Sequence, residues 1–353
     1  MLNWLVIFAP VAIVLHSFAP ERYELIFLTA AIGILPFAAW LGRATEQLAD
    51  RSGEGVGGLL NATFGNAAEL IIALAALRAG LYDVVKATIA GSIVGNILLV
   101  LGAAMLAGGM RYPEQHFNLP GARAQSTMLT LAAIALIIPA AYHGLVGELY
   151  VGGEKSLSIL ISLALLVVYC MFLLFSLWTH PSFFCGSSVP DNETGHQPWS
   201  LSWSVTVLAV CTAAIAWLSE ILVGTIEPTA RALGLSDIFI GVFVIAILGN
   251  AAEHASAITA AIKNRMDLSV SIAIGSSIQV ALFVAPLLVL ASLVVGPEPM
   301  NLLFGKGLVL AVFVAVVITG QIAGDGRSDW LKGVQLLAVY LILGLAFFLT
   351  PQA

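Results

Sequence analysis

Apolar runs of membrane-spanning length recur from one end of this chain to the other; "VVYCMFLLFSLW" and "LLAVYLILGLAFFLT" lie in two of them. A hydrocarbon layer of about 30 Å takes roughly 20 apolar residues per helix, and every backbone amide inside it must find a partner within the protein. Hydrophobic residues make up 60% of the 353 and charged residues 10%, too apolar a balance for a soluble core to absorb. The fold class expected is therefore all-α, a polytopic membrane protein. The net charge of −6 resides mostly in short loops, and no nucleic-acid partner is expected. Cys170, Cys185 and Cys211 form neither a CxxC pair nor an even framework, so they read as packing residues. The first segment has no basic residue before its apolar run, and Pro20 would follow the only small-residue cleavage site, so it reads as a membrane helix rather than a signal peptide.

Polar punctuation divides the chain into eleven expected transmembrane helices, near 2–19, 23–42, 58–80, 83–108, 124–141, 156–178, 200–219, 236–262, 268–294, 302–320 and 331–349. "GRATEQLADRSGEGVGG" is too polar to span and reads as an interfacial helix, with "SEILVGTIEPTARALGLS" as its counterpart. The longest polar interruption, "THPSFFCGSSVPDNETGHQP", separates two halves. The expected organisation is an N-terminal helix (1–22), a first five-helix repeat (23–178), a central linker (179–199) and a second five-helix repeat (200–353). With eleven spans, eight Lys and Arg fall on the amino-terminal side and six on the other. That bias places the N-terminus in the cytoplasm and the C-terminus outside, in a prokaryotic plasma membrane.

The repeat is visible residue by residue. "TFGNAAELIIALAA" (63–76) and "ILGNAAEHASAITAA" (247–261) share one offset, 184, which matches Gly65 with Gly249, Asn66 with Asn250, Glu69 with Glu253, Asp83 with Asp267, Gly91 with Gly275 and Ser92 with Ser276. Five helices per half is an odd number, so the halves enter the membrane from opposite faces and form inverted repeats. The two motifs then run antiparallel and can meet near the midplane.

A carboxylate at membrane depth costs about 2.5 to 3.5 kcal/mol on insertion scales. The basic residues fall in loops or at helix ends, so a proton or a bound cation is the expected counter-charge for Glu69 and Glu253. Gly65 and Gly249 stand where a local helix break would turn carbonyls toward a cavity, and Asn66 and Asn250 add amide oxygens. On the following helices Ser92 and Asn96, and Ser276 and Gln279, supply further polar groups; Gly91 and Gly275 are further candidate helix breaks, for which close helix packing is an equal reading. Two carboxylates among neutral oxygens suit a hard cation, calcium first, since magnesium prefers a tighter octahedron and keeps its waters. His254 lines the same place, but its counterpart is Leu70 and position 258 is Ile258, so the two-histidine zinc-protease pattern is absent and no enzymatic role is expected. One divalent cation or two protons would neutralise the two acids, which makes exchange obligatory. Asp83 and Asp267 read as helix caps.

At these residues the chain resembles the calcium/proton exchangers of the calcium/cation antiporter superfamily, through "GNAAEL" with "GSIVGNILLVLG" and "GNAAEH" with "GSSIQVALFVAP". The resemblance covers essentially the whole chain. It implies Glu69 and Glu253 as the cation- and proton-binding acids, and Asn66, Asn250, Ser92, Asn96, Ser276 and Gln279 as lining. It also implies rocking of one helix pair against the others. Many relatives carry a strongly acidic segment between the halves; here only Asp191 and Glu193 are acidic among Ser, Gly and Pro. The expected partners are calcium and protons, the lipid bilayer and, left open, a second copy in a homo-oligomer; calcium is a transported ligand and no cofactor is expected. Two alternatives stand beside this one: a sodium-coupled calcium exchanger or other cation/proton antiporter of the same fold, and, from a different class, a passive cation channel.

Overall fold

The computed structural model describes residues 3–52, 54–146, 151–181 and 199–350; Cys185, Asp191 and Glu193 lie outside them. Among the described residues the regular structure is helical apart from one two-stranded ribbon. The helices are α1 (Asn3–Phe18), α2 (Tyr23–Ser52), α3 (Glu54–Phe64), α4 (Ala67–Arg78), α5 (Tyr82–Gly109), α6 (Leu119–Leu145), α7 (Gly153–Thr179), α8 (Leu201–Gly224), α9 (Ile226–Leu233), α10 (Asp237–Gly249), α11 (Ala251–Ile262), α12 (Met266–Ala291), α13 (Lys306–Asp325) and α14 (Trp330–Phe348). Strands β1 (Gln115–His116) and β2 (Arg327–Ser328) pair antiparallel, Gln115 opposite Ser328.

Among the described residues eight helices are long and apolar enough to cross a membrane: α2, α5, α6, α7, α8, α12, α13 and α14. A ninth results if α9 and α10, bent by 113°, form one span. The protein is an integral membrane protein. The eleven continuous spans expected from sequence differ from this in identifiable ways. α1 is apolar but short. The span expected at 58–80 is two helices, α3 and α4, interrupted at Gly65 and Asn66, and that expected at 236–262 is α10 and α11, interrupted at Asn250. The separate interfacial helix expected after residue 42 is instead the continuation of α2, a rod of 30 residues. Nothing between Gly42 and Ser52 breaks a helix, and Ala, Glu, Gln and Leu favour it; about 45 Å of rod carries its charged last turns past a hydrocarbon layer.

α5 and α12 are the most enclosed of the long helices, whereas α7 and α14 turn most of their surface outward. α2 packs along α8, α6 along α13, and α14 along the second half of α5. Both central helices contain a widened turn with i→i+5 hydrogen bonding, at Gly95–Val100 and Val280–Val284. The offset of 184 carries the first onto residues 279–284, so a backbone irregularity recurs at the register of the sequence repeat. Such turns re-aim side chains and cluster at functional sites. The offset also relates two tight turns. Gly80, between α4 and α5, has φ 79°, and Asn264, between α11 and α12, has φ 59°, the one positive-φ non-glycine among the described residues.

Candidate cation site between the two repeated motifs

The helix breaks bring the two motifs face to face. α4 begins at Ala67 and α11 at Ala251, so Glu69 and Glu253 both occupy a first helical turn, next to the free N–H groups and positive dipole end of their helix. Each motif glycine faces the other motif's acid. A Cβ placed on Gly65 would lie 3.8 Å from Glu253 Oε1 and from Gln279 Oε1, and one on Gly249 would lie 3.3 Å from Glu69 Cγ. At Gly249 that contact is tight, whereas at Gly65 the atom a Cβ would crowd is the Asn61 carbonyl oxygen, at 2.7 Å.

Glu69 is 3% exposed. Its Oε1 accepts from the Ser92 hydroxyl and, at 3.0 Å, from Asn250 Nδ2, which also lies 3.1 Å from Ser92 Oγ and 3.0 Å from the Ala246 carbonyl. The asparagine of the second motif thus holds the carboxylate of the first. Around Glu253, within hydrogen-bonding reach of Ser276, a chain of neutral groups crosses both halves. His254 Nε2 lies 3.2 Å from Asn96 Oδ1; Asn96 Nδ2 donates to Ser276 Oγ (3.0 Å); Ser276 donates to Asn66 Oδ1 (3.2 Å); and Asn66 Nδ2 donates to Gln279 Oε1. Glu69 Oε2 and Glu253 Oε2 are both buried and have no hydrogen-bond partner, and among the described residues neither acid forms an ion pair. Two orphaned carboxylate oxygens among hydroxyl and amide oxygens form a donor set for a hard cation, with oxygen the main ligand and one imidazole beside it.

The structure therefore gathers Glu69, Glu253, Asn66, Asn250, Ser92, Asn96, Ser276, Gln279 and His254 into one polar cluster. Gly91 and Gly275 are different. Both lie inside unbroken helix, so they are not breaks, and the departure from α-geometry comes four or five residues later, at the widened turns. At Gly91 the reason for glycine is packing, since a Cβ would meet Val242 Cα and O at 2.5 Å. At Gly275 the nearest atom to such a Cβ is Gln125 Nε2, at 3.9 Å. Asp267 does not cap its helix; it accepts from the Asn118 backbone amide. Sequence reasoning passed over Gln125, buried on α6 beside Gly275, and Lys86, buried in the second turn of α5 with Nζ 2.7 Å from Asn301 Oδ1. Lys86 is the one buried Lys or Arg among the described residues, and its charged neighbours are Asp83 and Glu154, not the two motif acids.

Residues 23–178 and 203–349 match the model of the sodium/calcium exchanger protein family. The chain belongs to that family. This exchanger-family protein is 43% identical over 362 residues to a Ca(2+)/H(+) antiporter of Aphanothece halophytica, covering 98% of this chain and 96% of the relative. It is also 43% identical over 326 residues to the Ca(2+)/H(+) antiporter ChaA of Bacillus subtilis, covering 92% of each. Among solved structures it superposes on native YfkE with a TM-score of 0.85 and 38% identity, over 99% of both chains.

Proposed function

We propose that this exchanger-family protein moves calcium against protons, with Glu69 and Glu253 as the acids that bind both. The observation that carries the reading is the pair of buried, unpartnered Oε2 atoms on facing motifs, neither acid forming an ion pair among the described residues. Two carboxylates match one divalent cation or two protons, and the unneutralised pair is too costly to expose to lipid. The loaded and the protonated states are then the ones that reorient, which is the requirement for antiport. Full-length relatives named as Ca(2+)/H(+) antiporters support the choice of ions.

The architecture we propose is an N-terminal helix followed by two inverted five-helix repeats joined by a linker at 179–199. Counting α1, the broken pair α3 with α4 and the broken pair α10 with α11 as spans beside the eight long helices gives eleven. The two family matches, the recurring widened turn and the two positive-φ turns support the repeat. With that count the N-terminus is cytoplasmic. Access alternates by movement of helices around the shared site, and the protein works as a transporter rather than an enzyme.

The test is calcium uptake into proteoliposomes with an acidic lumen, with and without sodium, for the wild type, Glu69→Gln and Glu253→Gln. Uptake that follows the proton gradient, ignores sodium and disappears in both variants is the expected result. Uptake sustained by a sodium gradient after the proton gradient is collapsed would move the protein to the sodium-coupled mode, uncoupled flux would make it a channel, and retained activity in either variant would displace the site.

A further inference from the structure

The loops that follow the two central helices make a second set of repeat-related contacts, outside the cation site. Residues 110–118, after α5, lie over the turn between α11 and α12. Gln115, 1% exposed, donates from Nε2 to the Ala261 carbonyl and to Asn264 Oδ1, both at 2.9 Å, and the Asn118 amide donates to Asp267. Residues 292–305, after α12, lie over the turn between α4 and α5. There the Tyr82 hydroxyl donates to the Glu298 carbonyl (2.6 Å) and accepts from the Glu298 amide (2.7 Å), while Lys86 Nζ donates to Asn301 Oδ1. A Cβ on Gly296 would meet the Leu77 carbonyl at 2.7 Å, and one on Gly80 would meet Pro297 at 3.0 Å. The offset of 184 turns Leu77 into Ala261 and Gly80 into Asn264, so each loop rests on the same two positions of the opposite hairpin.

Both loops are anchored elsewhere too. β1 pairs with β2, and the Phe117 amide donates to the Gly326 carbonyl. In the other loop the Met300 amide donates to Ser292 and the Leu302 amide to Ser158, and Met300, Leu302 and Phe304 are buried. Each loop continues from one hairpin and holds the turn of the other. From Ala261 to Glu253, and from Leu77 to Glu69, is eight residues of helix, about 12 Å at 1.5 Å per residue. A tilt at either turn is therefore carried directly to a carboxylate.

We infer that the two loops are reciprocal clasps that lock the hairpins α4–α5 and α11–α12 into one frame, unchanged through the transport cycle, with Gln115 and Tyr82 as positioning residues for Glu253 and Glu69. This rests on the exchange reading above for its functional arm. In a background with Cys170→Ser, Cys185→Ser and Cys211→Ala, spin labels at Arg78→Cys and Lys263→Cys report the separation of the two turns by pulsed dipolar spectroscopy in reconstituted vesicles. One narrow separation, the same in saturating calcium and in calcium-free acid, is expected, and it broadens in Gln115→Leu and in Tyr82→Phe. The same two variants raise the calcium concentration for half-maximal exchange about fivefold, the lower end of what losing two neutral hydrogen bonds amounts to, without lowering the maximal rate. A separation that shifts between the two loading conditions overturns the fixed frame. Unchanged distributions and half-saturation in both variants overturn the positioning role. If the wild type shows no proton-driven calcium uptake the exchange reading fails by itself, and the distance measurement still decides the clasp.

Discussion

Replacing Asn250 by alanine tests the site more sharply than removing an acid, because the structure breaks a symmetry that the sequence repeat suggests. Asn66 and Asn250 are equivalent by the 184-residue offset, yet they serve different acceptors. Asn250 Nδ2 donates to a carboxylate, Glu69 Oε1, whereas Asn66 Nδ2 donates to a neutral amide, Gln279 Oε1. Both donors on Glu69 converge on Oε1 and leave Oε2 unpartnered, so they persist when a cation binds through Oε2 and keep the carboxylate aimed. A hydrogen bond to a charged acceptor is worth about 1.5 to 3 kcal/mol and a neutral one about 0.5 to 1.5. The midpoints differ by about 1.2 kcal/mol, which is about eightfold in an equilibrium constant at 1.4 kcal/mol per decade. Each asparagine makes one further neutral bond, Asn250 to the Ala246 carbonyl and Asn66 from the Ser276 hydroxyl, which cancels in the comparison. Asn250→Ala should therefore raise the calcium concentration for half-maximal uptake about eightfold more than Asn66→Ala does, measured as radioactive calcium uptake into proteoliposomes at one fixed pH. Equal effects, or a larger one for Asn66→Ala, would refute the assignment of Glu69 as the acid held from across the repeat.

Two further expectations concern packing and coupling. Gly91→Ala forces a Cβ to 2.5 Å from the Val242 backbone and should cost about 1 to 3 kcal/mol, read as a lower unfolding temperature of the purified protein. Gly275→Ala, with 3.9 Å of room, should stay within about 0.5 kcal/mol of the wild type. Collapsing the proton gradient with a protonophore should stop calcium accumulation, and an imposed sodium gradient should not restore it; a flux assay with ion replacement reads both.

The clustering of the polar residues was legible because membrane burial makes each of them conspicuous. Glu69 and Glu253 stand out in apolar helix, and the offset that pairs them also pairs Asn66 with Asn250 and Ser92 with Ser276, which the structure brings into one network. The break expected at Gly65 lies there, and the one expected at Gly249 falls one residue later, at Asn250, with Gly249 the last residue of its helix. What stayed hidden depends on contacts between segments far apart in the chain. Gly91 and Gly275 look alike in sequence, and only the neighbours separate them: the Val242 backbone crowds one, and the other meets Gln125 Nε2 at ordinary contact distance. Lys86 and Gln115 carry no periodic signal, because their partners Asn301 and Asn264 lie some 215 and 149 residues away. The length of α2 has no signature in hydropathy, because polar residues that favour helix carry it on into water.

His254 is where the two half-sites differ most, since its counterpart is Leu70. The donors in its chain run in one direction: Asn96 to Ser276, Ser276 to Asn66, Asn66 to Gln279. That direction requires Asn96 to present its oxygen to His254, and the imidazole satisfies it when Nε2 carries the hydrogen and donates across the 3.2 Å separation. In this arrangement the histidine closes one end of a network on which Ser276 and Gln279 depend, as a hydrogen-bond donor. Substituting the repeat's own alternative, His254→Leu, removes one neutral hydrogen bond worth about 1 kcal/mol. Half-maximal calcium should rise about fivefold, with the maximal rate preserved and proton coupling intact. A variant as inactive as Glu253→Gln would instead make the imidazole a direct participant in cation or proton binding, and the two half-sites would then differ in chemistry and not only in orientation.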